Sequence, residues 1–186
     1  MKKYFFTISI FLYISCMSQI TNDNFLNKFI EINEFPSSEF FIKNEIRIVN
    51  DTIESTIVAN KFLIPINTIK HSNAYLENKY YYYGKYKLND NYCVISCKVF
   101  FNHHESRILS FIYSTEKKAI ISSIEIMLND FNIKKASYFK DNILVIESTY
   151  NKIQNGLDPP KGKEFMQKIE IEKYEIDGDF RFVKLK

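Results

Sequence analysis

The chain has 186 residues, with 25 Lys and Arg residues against 22 Asp and Glu residues, a net charge of +3 and no Trp. A chain of this length fits one domain, whose core is large enough to fold without disulfide bonds. The near-balance of charge gives no reason to expect a nucleic-acid partner, because such partners require a strongly basic surface.

The first sixteen residues have the pattern of a secretory signal peptide. Lys2 and Lys3 precede the apolar run 4–15, which is too short to span a bilayer, and Cys16 follows directly. We therefore expect residues 1–15 to be removed on export. The loss of both lysines lowers the net charge of the mature chain to +1.

The tetrapeptide that ends in Cys16 is Tyr-Ile-Ser-Cys, and it resembles the lipobox of bacterial lipoproteins. In those proteins the thiol is lipidated and the cysteine becomes the new N-terminus. The usual lipobox has Leu where this chain has Tyr13. Each acyl methylene contributes about 0.8 kcal/mol when buried, so a triacylated Cys16 would hold the protein on a membrane without a transmembrane helix. An ordinary secretory peptide, cut nearby, is the alternative.

The mature chain begins with two segments of different character. Residues 16–24 are polar and predict a tether, and residues 25–186 predict a single β-rich domain. Residues 23–32 have apolar side chains at helical spacing, which predicts a short amphipathic helix that ends before Pro36. Residues 38–50 and 53–66 are rich in β-forming side chains and predict two strands.

The rest of the domain consists of β-type runs separated by turn residues. The runs predict strands at residues 80–88, 92–101, 107–114, 119–128, 134–140, 143–150, 164–176 and 180–185. Together they predict a mainly β fold, an antiparallel meander of about eight to ten strands with one short N-terminal helix. The pattern leaves a folded sheet, a sandwich and a partly closed barrel as open alternatives.

Alternation along the strands predicts which residues are buried. Cys93 and Cys97 share one face of a strand at about 13 Å, whereas a disulfide requires Cα atoms within roughly 7 Å, so both are interpreted as buried free thiols. The run 166–176 alternates Ile169 and Ile171 with charged residues, which marks one face of this strand as wet. The pair Glu170 and Glu172 is interpreted as part of that solvated face, and the central strands are expected to be more covered than the C-terminal ones.

No catalytic motif, metal site or cofactor site is predicted. His103 and His104 lie in an expected hairpin loop, where a solvated turn is favoured over a metal site because adjacent imidazoles do not easily converge on one ion. His71 has no spaced partner. The loop 151–162, which contains Asp158 followed by two prolines, is as consistent with an inert connection as with a functional loop.

The predicted strand 80–88 carries the candidate binding residues. Alternation sends Tyr80 and Tyr82 to one face and Tyr81 and Tyr83 to the other, and Tyr86 follows Gly84-Lys85. Tyrosine offers a broad contact area with a polar tip, which suits an envelope protein or a glycan as partner. In the alternative interpretation, one pair fills the core and the other packs under a loop.

The chain as a whole resembles the small envelope lipoproteins of Bacteroidetes-type bacteria. The resemblance rests on the lipobox-like cysteine, the short helix, the aromatic-Gly-Lys hairpin and a closing strand pair, Tyr-Glu-Ile-Asp-Gly-Asp-Phe, at residues 174–180. It implies a lipoprotein anchored to the outer membrane through Cys16, with its periplasmic or surface orientation open, and it carries no known activity. The anchor, the aromatic residues on both faces of strand 80–88 and the missing catalytic motifs favour a non-catalytic binding or accessory module. Two alternatives remain, a hydrolase whose site is assembled around His103, His104 and Asp158, and an immunity or inhibitor protein.

Overall fold

The fold is built on one nine-stranded sheet. The computed structural model describes residues 25–45, 51–62, 65, 78–101, 105–130, 132–151 and 167–186. The elements in chain order are β1 (Ile30–Ile32), α1 (Ser38–Lys43), α2 (Ser55–Ile57), a π-helical turn (Val58–Phe62), β2 (Lys79–Lys87), β3 (Tyr92–Phe100), β4 (Ser106–Ser114), β5 (Ala119–Asn129), β6 (Ile133–Lys140), β7 (Ile143–Asn151), β8 (Gln167–Ile176) and β9 (Phe182–Lys184).

The strands lie side by side in the order of the sequence, with β1 at one edge of the sheet and β9 at the other. The short β1 pairs with β2 in parallel, and the strands from β2 to β9 form a continuous antiparallel meander. The mainly β prediction is confirmed, and each strand from β2 to β9 corresponds to a predicted one.

Turn residues fix the hairpins where the sequence places them. Asp141 and Asn142 join β6 to β7 with φ values of 52° and 62°. Positive φ at both central residues is the type I′ geometry, which matches the twist of the flanking strands. Between β2 and β3, the side-chain oxygen of Asn89 accepts hydrogen bonds from the backbone N–H groups of Asn91 and Tyr92, at 2.8 and 2.9 Å.

One face of the central strands is covered by the N-terminal part of the domain. Phe25 and Phe29 pack edge to face with ring centroids 5.4 Å apart, and Phe29 lies 4.9 Å from the ring of Tyr82 on β2. Phe62, from the π-helical turn, lies 5.0 Å from the ring of Phe111 on β4. These residues belong to the first of two hydrophobic clusters.

The second hydrophobic cluster shows that the sheet folds over. It joins Val94 and Ile112, from β3 and β4, to Leu144 and Ile146 on β7, and all four side chains are buried. Strands that are far apart across the sheet therefore share one core. Burial of this kind is the main favourable contribution to folding, at about 1.5–3 kcal/mol for each large apolar side chain.

Contacts at the end of the chain close this fold. The ring of Phe180 stacks on Tyr92 with centroids 4.0 Å apart. The backbone N–H of Phe182, the first residue of β9, donates to the hydroxyl of Ser122 on β5 at 3.0 Å. Of the three architectures left open by the sequence, the arrangement is that of a folded sheet.

The two halves of the sheet meet at a narrow joint. Among the residues that the structure describes here, 119–130 and 132–140, β5 and β6 pair only through Leu128 with Lys135 and Asn129 with Lys134. The register of β4 against β5 also contains two irregularities. Because β-bulges bend and twist a strand, β5 can start in one half of the sheet and end at the joint with the other.

Three predictions in the N-terminal part are wrong. The helix predicted at residues 23–32 does not reach its predicted end, because only residues 25–27 of the described part are helical and Ile30–Ile32 is a strand. The strand predicted at 38–50 contains α1, in which Ser37 caps the helix by accepting a hydrogen bond from the N–H of Phe40 at 3.1 Å. The strand predicted at 53–66 contains α2 and the π-helical turn.

Candidate functional site

The tyrosine-rich strand β2 divides its side chains between the two hydrophobic clusters. Tyr80 and Tyr82 belong to the first cluster and Tyr83 to the second, and all three are buried. Burial raises the pKa of each phenol, in the case of Tyr82 to about 12. These three candidate binding residues therefore lie in the core, as the alternative interpretation of the strand expects.

Tyr81 and Tyr86 are the members of the set that remain partly exposed. Tyr81 packs edge to face on Phe100, with centroids 5.6 Å apart, and pairs with Thr52 through an isolated β-bridge. Tyr86 lies beside a cavity. The prediction of a binding surface on β2 stays a prediction for these two residues.

The cavity beside Tyr86 lies between the segment that precedes α1, α1 itself, β2 and β6. Its volume is about 350 Å³, and its lining includes Glu34, Phe35, Glu39, Lys43, Tyr86 and Phe139. Aromatic rings combined with a few charged groups are characteristic of small-molecule sites, and the smallest of these sites have volumes of about 300 Å³.

The rings of the cavity are fixed by contact with one another. Phe35 stacks on Phe139 with centroids 4.2 Å apart and 16° between the planes, and its edge meets Tyr86 at 5.8 Å and 66°. Phe35 is buried, whereas Phe139 is 36% exposed. An offset stack and an edge-to-face pair are the preferred geometries of aromatic rings, so this wall is formed before any ligand binds.

Paired hydrogen bonds hold α1 over β6 and so set the shape of the cavity. The backbone N–H of Ser38 donates to the hydroxyl of Ser137 at 2.9 Å, and the N–H of Ser137 donates to the hydroxyl of Ser38 at 2.6 Å. The Ser38 hydroxyl also donates to the carbonyl of Ser137 at 3.0 Å. Both serines are buried, so these polar groups are satisfied away from water.

A buried ion cluster lies at the joint between β5 and β6. Glu125 accepts from the Lys135 ammonium at 2.7 Å, and its other oxygen lies 3.6 Å from the Arg107 guanidinium. The Glu125 side chain is only 2% exposed. Sequence analysis did not single out this cluster, because its members lie on three different strands. Its ion pairs link β5 to both β4 and β6.

The two faces of β8 differ from the prediction. Glu170 accepts from Tyr150 at 3.1 Å and pairs with Lys168, and Glu172 pairs with Lys184 of β9. Glu170 is thus bonded to β7 and within β8, and Glu172 is bonded to β9. The Lys184 ammonium lowers the pKa of Glu172, because it stabilises the carboxylate form.

The isoleucines of β8 form the more exposed face. Ile169 is 63% exposed and Ile171 is 59% exposed, and Val183 on β9 is 38% exposed. Glu175 is the register partner of Val183, so all of these side chains lie on one face of the sheet. We call Ile169, Ile171 and Val183 the isoleucine face. The prediction that Glu170 and Glu172 lie on the solvent-exposed face of β8 is wrong, since Ile169 and Ile171 on the opposite face are more accessible to solvent than Glu172.

Cys93 and Cys97 lie in the first hydrophobic cluster, so their predicted burial is confirmed, and both are free thiols. Burial raises the pKa of Cys93 to about 11 and that of Cys97 well above its ordinary value. Since the thiolate is the reactive form, neither residue has the environment of a nucleophile.

Several predicted sites lie outside the described residues, namely Cys16 with the signal peptide, His71, His103, His104 and the loop that contains Asp158. Among the residues that the structure does describe, no group of three His, Cys, Asp or Glu side chains could hold a metal ion. Within the same residues, no helix has the length and apolarity needed to cross a membrane.

Sequence analysis missed the cavity beside Tyr86. Glu34 and Phe35 directly precede α1, and the residues of α1 were predicted to form a strand. Phe139 was predicted only as part of a strand, with no role in a site. One signal was available in the sequence. Phe139 lies beside charged residues near the end of β6, and alternation places its side chain on the same face as that of Ser137. The chain matches no protein-family model, no curated protein and no solved structure.

Proposed function

We propose that the protein is a lipid-anchored, non-catalytic binding module of the bacterial cell envelope, which holds an envelope protein through the isoleucine face. The single observation that carries this proposal is the exposure of Ile169 and Ile171 on one face of β8, while Glu170 and Glu172 on its other face are ion-paired. A lipidated Cys16 on the outer membrane would supply the anchor.

The isoleucine face has the anatomy of a protein interface. Its apolar centre consists of Ile169 and Ile171, whose register partners on β7 are Thr149 and Glu147. Lys173 and Glu175 follow Ile171 on the same side of β8 and are exposed, so charged residues of both signs border the isoleucines. An apolar core with a polar rim is the usual arrangement in protein–protein interfaces.

Burial energetics favour a partner at this face. Fully burying an Ile side chain contributes about 1.5–3 kcal/mol, and the two β8 isoleucines leave more than half of that contribution unused in the isolated chain. Ile169 and Ile171 are neighbours on this face, and adjacent exposed apolar side chains bordered by polar residues mark an interaction site more often than a single exposed hydrophobic residue does.

The test is a pull-down of the tagged protein from its native envelope in mild detergent after cross-linking. The double variant Ile169→Thr/Ile171→Thr keeps β-branched side chains, so β8 is preserved while the apolar centre is lost. We expect a stoichiometric protein partner with the wild-type chain and at least a tenfold lower recovery with the double variant.

The matched control is Ile42→Thr, because Ile42 is 69% exposed on α1, outside the isoleucine face. Recovery of the partner should be unchanged in this variant. Equal recovery with all three proteins, or no stoichiometric partner, would contradict the proposed binding module.

The anchor is tested separately by the intact mass of the N-terminus and by membrane fractionation. We expect a lipidated Cys16 in the membrane fraction, and release of Cys16→Ser into the soluble fraction. An unmodified cysteine in the mature protein would contradict the lipid anchor but not the binding face.

A further inference from the structure

The cavity between α1, β2 and β6 lies apart from the isoleucine face and combines two features that suit one class of ligand. Its aromatic wall consists of Phe35, Tyr86 and Phe139, and its charged groups are Glu34, Glu39 and Lys43. Whether a protein partner binds to β8 has no bearing on what this cavity binds.

The aromatic wall presents ring faces of negative potential. Phe139 stacks on the buried Phe35, so one face of the Phe139 ring is used, and the side chain is still 36% exposed. The face of an aromatic ring attracts a cation within about 6 Å of its centroid. The phenylalanine ring is entirely apolar, so a ligand that covers it removes apolar surface from water and gains binding free energy.

The charges around the cavity add to this preference. Glu34 and Glu39 are both exposed and supply two carboxylates, whereas Lys43 supplies one ammonium group. The lining therefore carries a net negative charge at neutral pH. A carboxylate beside aromatic rings is complementary to an organic cation and repels an anion.

We propose that this cavity binds a quaternary ammonium ion. A volume of about 350 Å³ accommodates such a head group together with a short alkyl or hydroxyalkyl chain. The rings contact the methyl or methylene groups around the nitrogen, and the carboxylates of Glu34 and Glu39 balance its charge. The open, partly exposed wall limits the affinity to the millimolar to high micromolar range.

The first experiment compares choline with 3,3-dimethyl-1-butanol, which has the same shape but no charge. Both are titrated into the full-length protein in mild detergent, and binding is followed by the ¹H–¹³C NMR signals of aromatic side chains. We expect choline to bind at least fivefold more tightly than the neutral alcohol, with the largest shifts at Phe139 and Tyr86.

Charge variants test the proposal in both directions. Glu34→Gln should weaken choline binding at least threefold, because Glu34 lies in a loop and its charge has no role in a helix. Lys43→Gln should strengthen binding by a similar factor, since it removes the one cation of the lining. A damaged fold cannot produce a gain in affinity, so the lysine variant separates a binding role from a structural one.

Phe139→Leu removes the exposed ring and keeps an apolar side chain, and it should abolish measurable choline binding. Glu175→Gln is the matched control for charge, because Glu175 is exposed on β8 outside the cavity. Its affinity for choline should equal that of the wild type. Three results would each overturn the proposal: equal binding of choline and the alcohol, unchanged choline binding in Lys43→Gln, or no NMR shift at choline concentrations up to 50-fold the expected dissociation constant of about 1 mM.

Discussion

Replacing Glu125 by Gln tests how the two halves of the sheet are held together. In the described part of the chain, the joint between β5 and β6 contains two register pairs. Glu125 of β5 extends it by accepting from Lys135 of β6 at 2.7 Å, and it also lies 3.6 Å from Arg107 of β4. Gln keeps the volume of Glu and removes its charge, so the variant changes the electrostatics and little of the packing.

The expected loss is large because two cations would remain inside the protein. The side chains of Lys135 and Arg107 are 13% and 10% exposed, so water screens neither of them well. Removing one partner of a buried ion pair costs about 3–5 kcal/mol, since an uncompensated charge is left behind. Total stabilities are about 5–15 kcal/mol, so Glu125→Gln should remove a substantial fraction of the free energy of unfolding.

The assay is urea unfolding of the purified protein, followed by far-UV circular dichroism, together with a thermal scan. For a domain of this size, each kcal/mol lowers Tm by about 2–4 °C, which gives a decrease of roughly 6–20 °C. The double variant Glu125→Gln/Lys135→Met also removes the buried charge of Lys135, which Glu125 no longer balances. It should be more stable than the sum of the two single variants predicts, by at least about 1 kcal/mol.

Glu147→Gln on β7 is the matched control, because Glu147 is exposed and its loss of charge should change the stability by less than about 0.5 kcal/mol. A loss below about 1 kcal/mol for Glu125→Gln, or strict additivity in the double variant, would refute the assignment of Glu125 as the ionic link between the halves of the sheet.

Three further predictions concern the core. Gly84→Ala should lower the free energy of unfolding by about 1–3 kcal/mol in urea unfolding, because a Cβ at Gly84 would lie 3.0 Å from the ring of Phe41. Cys93 and Cys97 should react with a thiol reagent at pH 8 only after denaturation, since both are buried and the pKa of Cys93 is raised to about 11. The free energy of unfolding should fall as the pH rises from 10 toward 12. Burial raises the pKa of Tyr82 from 10.0 to about 12, so in this pH range the unfolded chain binds fewer protons than the folded one. Urea unfolding at pH 9 and pH 11 measures this decrease.

Each of these predictions has a control or a contrary result. Gly178→Ala is the match for Gly84→Ala, because a Cβ at Gly178 meets nothing within 4 Å, and it should be neutral. Equal losses in the two variants would remove the steric explanation. Rapid labelling of Cys93 in the native protein would show that its burial is incomplete. Equal stability at pH 9 and pH 11 would mean that the phenol of Tyr82 ionises as readily in the folded state.

The antiparallel meander could be predicted from the sequence because its signals are local. Each strand from β2 to β9 alternates or runs apolar between turn residues, and turns such as Asp141-Asn142 have a side-chain chemistry that requires a hairpin. The burial of Cys93 and Cys97 on one face follows from the same period of two. The fold-over is not local, because it depends on a core shared by β3, β4 and β7.

The N-terminal part was predicted less well because tertiary contacts decide it. Apolar residues are so dense near Phe40 and Phe62 that strand and helix patterns both fit. In the folded protein, the cap at Ser37 and the hydrogen bonds of Ser38 to β6 favour a helix at α1. Ile30–Ile32 becomes a strand because the edge of β2 is available for parallel pairing and Gly84 leaves room there for Ile32.

The candidate sites follow the same division between local pattern and tertiary context. Alternation correctly placed Tyr82 and Tyr83 on opposite faces of β2. It carries no information on which other residues cover those faces, and the face of Tyr82 is covered by the N-terminal residues Phe25 and Phe29. On β8 the period of two was again correct, while the solvent lies mainly on the side of Ile169 and Ile171. Hydrophobicity alone would bury these isoleucines. Their exposure follows from which side of β8 packs on the second hydrophobic cluster, because Tyr174 and Ile176 contact that cluster and lie on the same face as Glu170 and Glu172. Exposed apolar side chains that lie side by side mark interaction sites, whereas Tyr80, Tyr82 and Tyr83 are buried, which is why the isoleucine face, rather than the tyrosines, supports the proposed binding function.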